Sequence, residues 1–283
     1  MDMKARFTSI ILFFLCVLIC GCSGLTPIRT YTAASTKGIE ALGSITYNFE
    51  QHCLASCRDH DLEAFRLTSV DCNCEDSKHA DSLNLLMQQA VRAYVLALGQ
   101  LSGKEVTTLP ITALSASIQA SPAANLKISQ KEIDSYTTIG DLLSNVLSGQ
   151  YRKNKLKSFV SKGQKPLTIL IDYLQLNRSK NLNGLIEVRI QRNKLAFYEY
   201  IQDKRYTPYQ KREITATYYK IFDQLEEQKL ASLYFVQVLE EIKKGHKDLY
   251  NNLEAWNNDQ LINMMASNAA KIESILRKME NLK

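Results

Sequence analysis

The sequence predicts an all-α protein, an elongated bundle of antiparallel helices that begins with a disulfide-stapled helical hairpin. Apolar residues recur every three or four positions over long stretches, and no stretch beyond the first two dozen residues alternates apolar and polar residues with a period of two. The prolines lie between the periodic stretches and therefore predict helix boundaries at Pro27, Pro110, Pro122, Pro166 and Pro208.

Residues 1–21 have the parts of an export signal. A cationic start precedes an apolar core that is too short to span a bilayer of about 30 Å as a mature helix. The stretch Ile19-Cys20-Gly21-Cys22 then resembles the lipobox of bacterial lipoproteins. This resemblance covers only residues 1–24. It implies cleavage before Cys22 and lipidation of that residue, which would anchor the protein to the cell envelope.

The residues after the lipobox suggest a destination and a tether. Ser23, in place of an aspartate, resembles the pattern that permits transport to the outer membrane if the host has two membranes. Small and polar residues dominate this part of the chain, and residues 22–36 are therefore expected to form a lipidated tether.

Two periodic segments predict a helical hairpin over residues 37–102. The first runs from Ile39 to Cys57 and the second from Leu83 to Leu101. Residues 103–128 are rich in serine, threonine and proline, and we expect an irregular connection there.

The hairpin contains four cysteines, which is an even number in an exported chain. Cys53 and Cys57 share one helix face, whereas Cys72 and Cys74 form a tight pair in a turn-like stretch. Pairing within either couple would strain the local geometry, so two disulfides between the couples are predicted. Nested pairing suits an antiparallel hairpin best and would join Cys57 to Cys72 and Cys53 to Cys74. The crossed pairing remains open at this point.

A metal site is the competing interpretation of the same region. His52, His60 and His79 lie near the cysteines, and thiolate with imidazole is a ligand set for zinc or copper. The Cys-x3-Cys and Cys-x-Cys spacings differ from the Cys-x2-Cys knuckles of structural zinc sites. Disulfides are therefore favoured, and no metal or cofactor is predicted. The signature for covalent haem, Cys-x-x-Cys-His, does not occur in the sequence.

Residues 129–283 predict a bundle of long helices. Ser129 to Glu132 has the form of a capping box, and Pro166 suits the first turn of a helix of about 37 residues. A kink is expected in that helix around Asn181 to Gly184. A second capping box at Thr207 to Gln210 starts a partner helix that is expected to reach about Lys244.

A turn near Asp203 to Tyr206 lets these two helices pair antiparallel. A last periodic segment from Leu249 to Met279 closes the chain, with a bend expected at Gly245 or at Asn257 to Asp259.

Charge is distributed unevenly around a net value of +6. Residues 151–212 are strongly basic, whereas the hairpin is acidic. Such a molecule could steer an anionic partner, although two solvated faces would give the same pattern. Tyrosines accompany the basic residues near residue 206, which is typical of interfaces. The candidate ligand-binding residues are Arg152, Lys153, Lys155, Lys157, Lys204, Arg205, Tyr206, Tyr209, Lys211 and Arg212. The alternative is that half of the rings pack between the two long helices and the rest cover the turn.

No catalytic motif is present, and His246 stands alone in the sequence. We therefore expect a non-enzymatic, membrane-anchored lipoprotein that acts as a structural or interaction module in the bacterial cell envelope, with an envelope protein as partner. The alternative is a protein that binds an anionic envelope ligand or lipid headgroup through the basic, tyrosine-rich surface. A third interpretation is metal handling by the cysteine and histidine hairpin. A nucleic acid is not expected as a partner.

Overall fold

The computed structural model describes residues 25–43, 45–66, 72–103, 128–146, 152–256 and 258–282. These residues contain helices and no β-strand, which confirms the all-α fold class. The helices, numbered here in chain order, are α1 (Thr26–Leu42), α2 (Phe49–Glu63), α3 (Glu75–Leu101), α4 (Gln130–Val146), α5 (Arg152–Leu176), a π-helical segment (Asn177–Leu182), α6 (Asn183–Gln202), α7 (Pro208–Asn251) and α8 (Asp259–Glu280). No helix within the described residues is both long enough and apolar enough to span a membrane.

The bundle contains a main core and a small core. The main core is built from α1, α3, α4, α5, α8 and the C-terminal half of α7. The small core joins the π-helical segment and α6 to the middle of α7, through Leu182, Ile186, Ile190 and Leu225. Because α3 and α5 share the main core, the predicted hairpin and the predicted long-helix bundle pack as one body around it.

The prediction of a tether over residues 22–36 is wrong from residue 26 onward. Those residues belong to α1, which packs against α3, α7 and α8. Ile28 and Tyr31 are buried in the main core, as are the small polar side chains of Thr32 and Ser35. Small side chains let the helix approach its neighbours closely, and a composition that resembles a linker can therefore form a core helix. Cys22 and the signal segment lie outside the described residues.

The first helix of the predicted hairpin is interrupted. The chain leaves α1 at Gly43, and α2 starts only after Asn48, whose side chain accepts a hydrogen bond from the backbone N–H of Gln51. The hairpin itself therefore consists of α2 and α3, which contact each other. Residues 104–127 of the predicted irregular connection lie outside the described residues.

Pro166 lies inside α5, and its prediction as a first-turn residue is wrong. An interior proline costs about 3 kcal/mol or more. Buried apolar residues on both sides offset this cost: Leu156 and Phe159 precede the proline, and Leu167 follows it. Because of this burial, the helix begins at Arg152, well before the proline.

The irregularity expected around Asn181 takes the form of the π-helical segment. A π-helical turn accommodates about one extra residue and so rotates the inward face of the helix by roughly 100°. As a result Ile186 and Ile190 are buried, whereas Val188 and Leu195, which continue the α-helical pattern of the preceding stretch, are exposed.

The capping box at Thr207 is confirmed. Its hydroxyl accepts from the backbone N–H of Gln210 at 3.3 Å, and the Gln210 side chain accepts from the backbone N–H of Thr207 at 2.9 Å. The helix then continues past the predicted end to Asn251. The final bend follows, and the Asn258 side chain caps α8.

Candidate functional site

Two nested disulfides fix α2 against the segment that precedes α3. Cys53 is bonded to Cys74 and Cys57 to Cys72, with Cα–Cα distances of 5.9 Å and 6.3 Å. The nested pairing predicted from the sequence is therefore confirmed. These sulfurs are not available as thiolate ligands, and the described residues contain no group of histidine, cysteine and carboxylate side chains placed to hold a metal ion.

A buried ion pair joins α2 to α6. The Arg189 guanidinium donates two hydrogen bonds to the carboxylate of Asp59, at 2.6 Å and 3.0 Å. The amide of Asn193 donates a third bond to Asp59 at 2.9 Å. Burial opposes the charge on Arg189, but the hydrogen bonds and the charge of Asp59 outweigh it and raise the pKa of Arg189.

A second pair lies one turn further along both helices. Arg192 donates to Glu63 at 2.6 Å and 3.0 Å, and its guanidinium also lies 3.2 Å from Nδ1 of His60. Residues from the acidic hairpin thus neutralise residues from the basic middle of the chain. The ion pairs between α2 and α6 therefore neutralise part of the charge asymmetry seen in the sequence.

A chain of hydrogen bonds extends from Arg189 to Ser56. Arg189 donates to the Tyr47 hydroxyl at 3.2 Å, this hydroxyl lies 3.0 Å from Nδ1 of His52, and Nε2 of His52 lies 3.2 Å from the Ser56 hydroxyl. Burial and the charge of Arg189 lower the pKa of His52. Because a guanidinium only donates, the Tyr47 hydrogen is available to Nδ1, which leaves the proton of His52 on Nε2. In that arrangement Nε2 donates to the Ser56 hydroxyl, and the chain of hydrogen bonds links α2 to α6.

His246, the isolated histidine of the sequence, lies fully inside the main core. Its Nε2 is 2.7 Å from the Tyr94 hydroxyl and its Nδ1 is 2.6 Å from Oε1 of Gln164. Burial lowers the pKa of His246 to about 3. The ring is therefore a neutral, hydrogen-bonded core residue with no access to a substrate.

An open groove of about 440 Å³ lies where the C-terminal end of α2 meets α6 and the N-terminal part of α7. We call it the aromatic groove. Its apolar lining consists of Leu62, Phe65, Ala196, Phe197, Tyr200, Tyr206, Ile214 and Ile221. Asp59, Glu63 and Glu213 also line it, and no lysine or arginine does so among the described residues.

Phe65 sits at the edge of this groove in an unusual backbone conformation. Its φ is 51°, the left-handed region that is sterically costly for a bulky residue. Arg66 N–H bonds to the Asp61 carbonyl and Phe65 N–H to the Leu62 carbonyl, which is the Schellman pattern at a helix end. Phe65 occupies the position in that motif where glycine is preferred.

The ring of Phe65 gains little from this placement in the free protein. The residue is 76% exposed, and the neighbouring Leu62 is 66% exposed. The nearest aromatic partner is Tyr200, with ring centroids 6.2 Å apart. A strained backbone that displays an exposed aromatic ring is typical of a binding site.

The structure separates the predicted ligand-binding residues. Tyr206 lines the aromatic groove, and Tyr209 is exposed outside it. Arg205 bonds to Asp203 at 2.6 Å, and these hydrogen bonds lower the pKa of Asp203 to about 2. The other candidates on this side, which also lie outside the lining, are Lys204, Lys211 and Arg212.

The remaining candidates lie at the start of α5, about 75 Å along the helix from the turn at residue 203. Lys157 bonds to Glu254 at 2.5 Å, and Lys155 is half-buried. The side chains of Arg152 and Lys153 lie outside what the structure describes. The candidates at the start of α5 and those near residue 206 therefore do not lie on one surface.

Tyr206, a candidate from the sequence, lines the aromatic groove, whereas the sequence does not point to Phe65 or Leu62. The walls come from three helices that are far apart in the chain, and only the fold brings them together. No protein-family model matches this chain, and no match was found among curated proteins or among solved structures. The candidate site therefore rests on the geometry of the groove itself.

Proposed function

We propose that this chain is a lipid-anchored, non-enzymatic helical protein of the bacterial cell envelope that presents the aromatic groove to a partner protein. The observation that carries the proposal is Phe65, a bulky residue held at a glycine-like position with its ring exposed. An exposed ring contributes little to folding, whereas aromatic side chains contribute strongly to protein interfaces. The lipobox-like stretch that ends at Cys22 supports the anchor.

The arrangement of the helices supports presentation of the groove away from the anchor. The lipidation site lies only four residues before the start of α1. Tyr31, near the start of α1, donates a hydrogen bond to the carbonyl of Ile242, at 2.5 Å. The groove, in contrast, includes Ile214, about 40 Å away along α7. An anchor at Cys22 would hold the end of the bundle opposite to the groove.

The histidines support a non-enzymatic role. His246 is enclosed in the core, and His52 is held between Tyr47 and Ser56 in a form that suits donation to the serine. Neither ring offers a base next to an accessible nucleophile.

A photoreactive amino acid placed in the groove tests the proposal in living cells. We expect a crosslinker at Tyr200 to form a specific adduct with another protein. The matched control is Tyr198, which is 60% exposed on the same helix and does not line the groove. Equal adducts at both positions, or none at Tyr200, would contradict the proposal.

Replacement of the strained residue separates stability from binding. Phe65→Gly removes the steric cost of the left-handed backbone, so the free energy of unfolding should rise by about 1 kcal/mol. The same change removes the exposed ring, and the Tyr200 adduct should be lost. Chemical denaturation measures the first effect and crosslinking yield the second. A variant that is more stable and still forms the full adduct would show that Phe65 has no role in binding.

The anchor is tested independently through Cys22. Cys22→Ser should abolish labelling by a fatty-acid probe and leave a precursor that is larger by about twenty residues, because the peptidase of this class acts on the lipidated cysteine. Gel migration and detergent partitioning report the result. Wild-type protein that is soluble and unlabelled would refute the anchor and leave the groove unaffected.

A further inference from the structure

The shape of the aromatic groove suits a segment of a protein better than an enclosed small molecule. Its edge is formed by Leu62 and Phe65, which remain largely exposed. Pockets for small molecules usually bury most of the surface of their ligand. A peptide segment can instead lie in an open groove and cover the exposed edge with its own apolar side chains.

The charges that line the groove differ in their availability. Asp59 and Glu63 are already neutralised by the arginines of α6, at 2.6 Å in each case. Glu213 is exposed and has no ion-pair partner among the described residues. Since no lysine or arginine in the described part of the chain lines the groove, Glu213 is the charge that an incoming segment would meet.

The aromatic rings also favour a positively charged group in the occupant. Tyr200 and Tyr206 line the groove, and the faces of tyrosine rings attract ammonium and guanidinium groups. The apolar remainder of the lining requires apolar side chains in the occupant. An occupant with an apolar residue beside a cation would satisfy both parts of the lining.

We infer that the aromatic groove binds a short amphipathic segment of a partner protein that carries a lysine or arginine next to apolar residues. This inference rests on the proposed function and specifies the chemistry of the partner. Glu213 pairs with the cation of that segment, and the apolar side chains lie against Phe65 and Tyr200. An anionic segment would bring its charge next to Glu213 without a cation in the lining to balance it.

A random library of short peptides displayed on phage tests this specificity directly. The complete chain, with both disulfides formed, is held in lipid nanodiscs, and empty nanodiscs remove peptides that bind lipid. The enriched peptides should combine apolar residues with lysine or arginine. Enrichment of acidic or purely apolar peptides, or no enrichment above a Phe65→Gly protein, would overturn the inference.

Point variants then locate the binding of a synthetic enriched peptide. Phe65→Gly should weaken binding at least about tenfold, while Tyr198→Ala should leave it nearly unchanged. Glu213→Gln should weaken binding several-fold and reduce its dependence on salt, whereas the matched change Glu199→Gln, on an exposed residue outside the lining, should do neither. Equal effects of the two glutamate changes would overturn the assignment of Glu213.

The failure of this inference can be told apart from the failure of the proposed function. A Tyr200 adduct formed in cells with a segment that lacks basic residues would leave the proposed function standing and refute the preference for a cation. Binding of vesicles of neutral and anionic phospholipid that is lost in Phe65→Gly would refute a peptide occupant. Absence of any groove-specific adduct would contradict both proposals.

Discussion

Glycine and aromatic residues have opposite uses in the main core and at the aromatic groove. In the main core, a Cβ on Gly163 would lie 2.1 Å from the Tyr94 hydroxyl oxygen, and a Cβ on Gly245 would lie 2.2 Å from the ring of Tyr31. Both tyrosines are fully buried there. At the groove, the left-handed position that favours glycine carries Phe65, with its ring exposed.

The comparison shows which part of the molecule is explained by folding alone. In the main core, the missing side chain of each glycine lets a large ring be buried and its hydroxyl be hydrogen-bonded, which stabilises the fold. At the groove, the left-handed position lacks the glycine that would avoid the steric cost, and the apolar ring of Phe65 faces solvent. Packing accounts for the first region, and for the second we propose the binding of a partner.

The two regions also differ in what holds them together. The main core depends on apolar contacts and on hydrogen bonds between neutral groups such as Tyr94 and His246. Helix α2, which ends just before Phe65, is held by two disulfides and by the ion pairs of Asp59 and Glu63. Changes to charged residues should therefore act mainly on the groove, and changes of volume mainly on the main core.

The largest effect is expected from breaking the buried pair of α2 and α6. Arg189→Met leaves the charge of Asp59 buried with only Asn193 as a partner, and should lower the free energy of unfolding by about 3 to 5 kcal/mol. Hydrogen exchange should show loss of protection in α2 while α1 and α8 remain protected. Chemical denaturation measures the total effect.

The double variant Asp59→Leu with Arg189→Met is the control for this prediction. It removes both charges, and much of the lost stability should return. A double variant that is no more stable than Arg189→Met would show that the pair acts through packing. Equal loss of protection in α1 and α2 would contradict the expectation that changes to charged residues act mainly on the groove.

Local signals explain what the sequence predicted correctly. The capping box at Thr207 and the nested disulfides depend on residues close together in the chain, and both are present in the structure. The helical character of α1 was missed because Thr32 and Ser35 have the composition of a linker, and only the neighbouring helices make them core residues.

The buried face of α6 also could not be found from periodicity, for a different reason. Val188 and Leu195 continue the pattern of the preceding helix, but the π-helical segment rotates that pattern toward solvent. Periodicity cannot detect one extra residue in a continuous helix. The groove itself was not predicted, although its Tyr206 was a candidate residue, because the strain at Phe65 depends on where α2 ends.

A volume change in the main core should have a smaller but clear effect. Gly163→Ala places a methyl group against the Tyr94 ring, and should lower the free energy of unfolding by about 1 to 3 kcal/mol. The control is Gly184→Ala, because a Cβ there meets no atom within 4 Å. That change should raise stability by up to about 1 kcal/mol through helix propensity. Urea midpoints measure both, and a neutral Gly163→Ala would contradict the close fit of the core.

The smallest effect concerns the pH dependence that His246 gives to the main core. Burial lowers the pKa of His246 to about 3 in the folded protein, while its pKa in the unfolded chain is about 6.5. Below pH 6.5 the unfolded state therefore binds a proton that the folded state does not, and stability falls as the pH decreases toward about 3. Between pH 7 and pH 5.5 this contribution amounts to about 1 kcal/mol.

The variant His246→Gln should lose this contribution, so the stability of the wild type should fall more steeply than that of the variant over this pH range. Carboxylates affect both proteins alike and cancel in the difference between the two slopes. Parallel pH profiles would show that His246 takes up its proton in the folded protein over the same pH range as in the unfolded chain, and would contradict a lowered pKa for this buried ring.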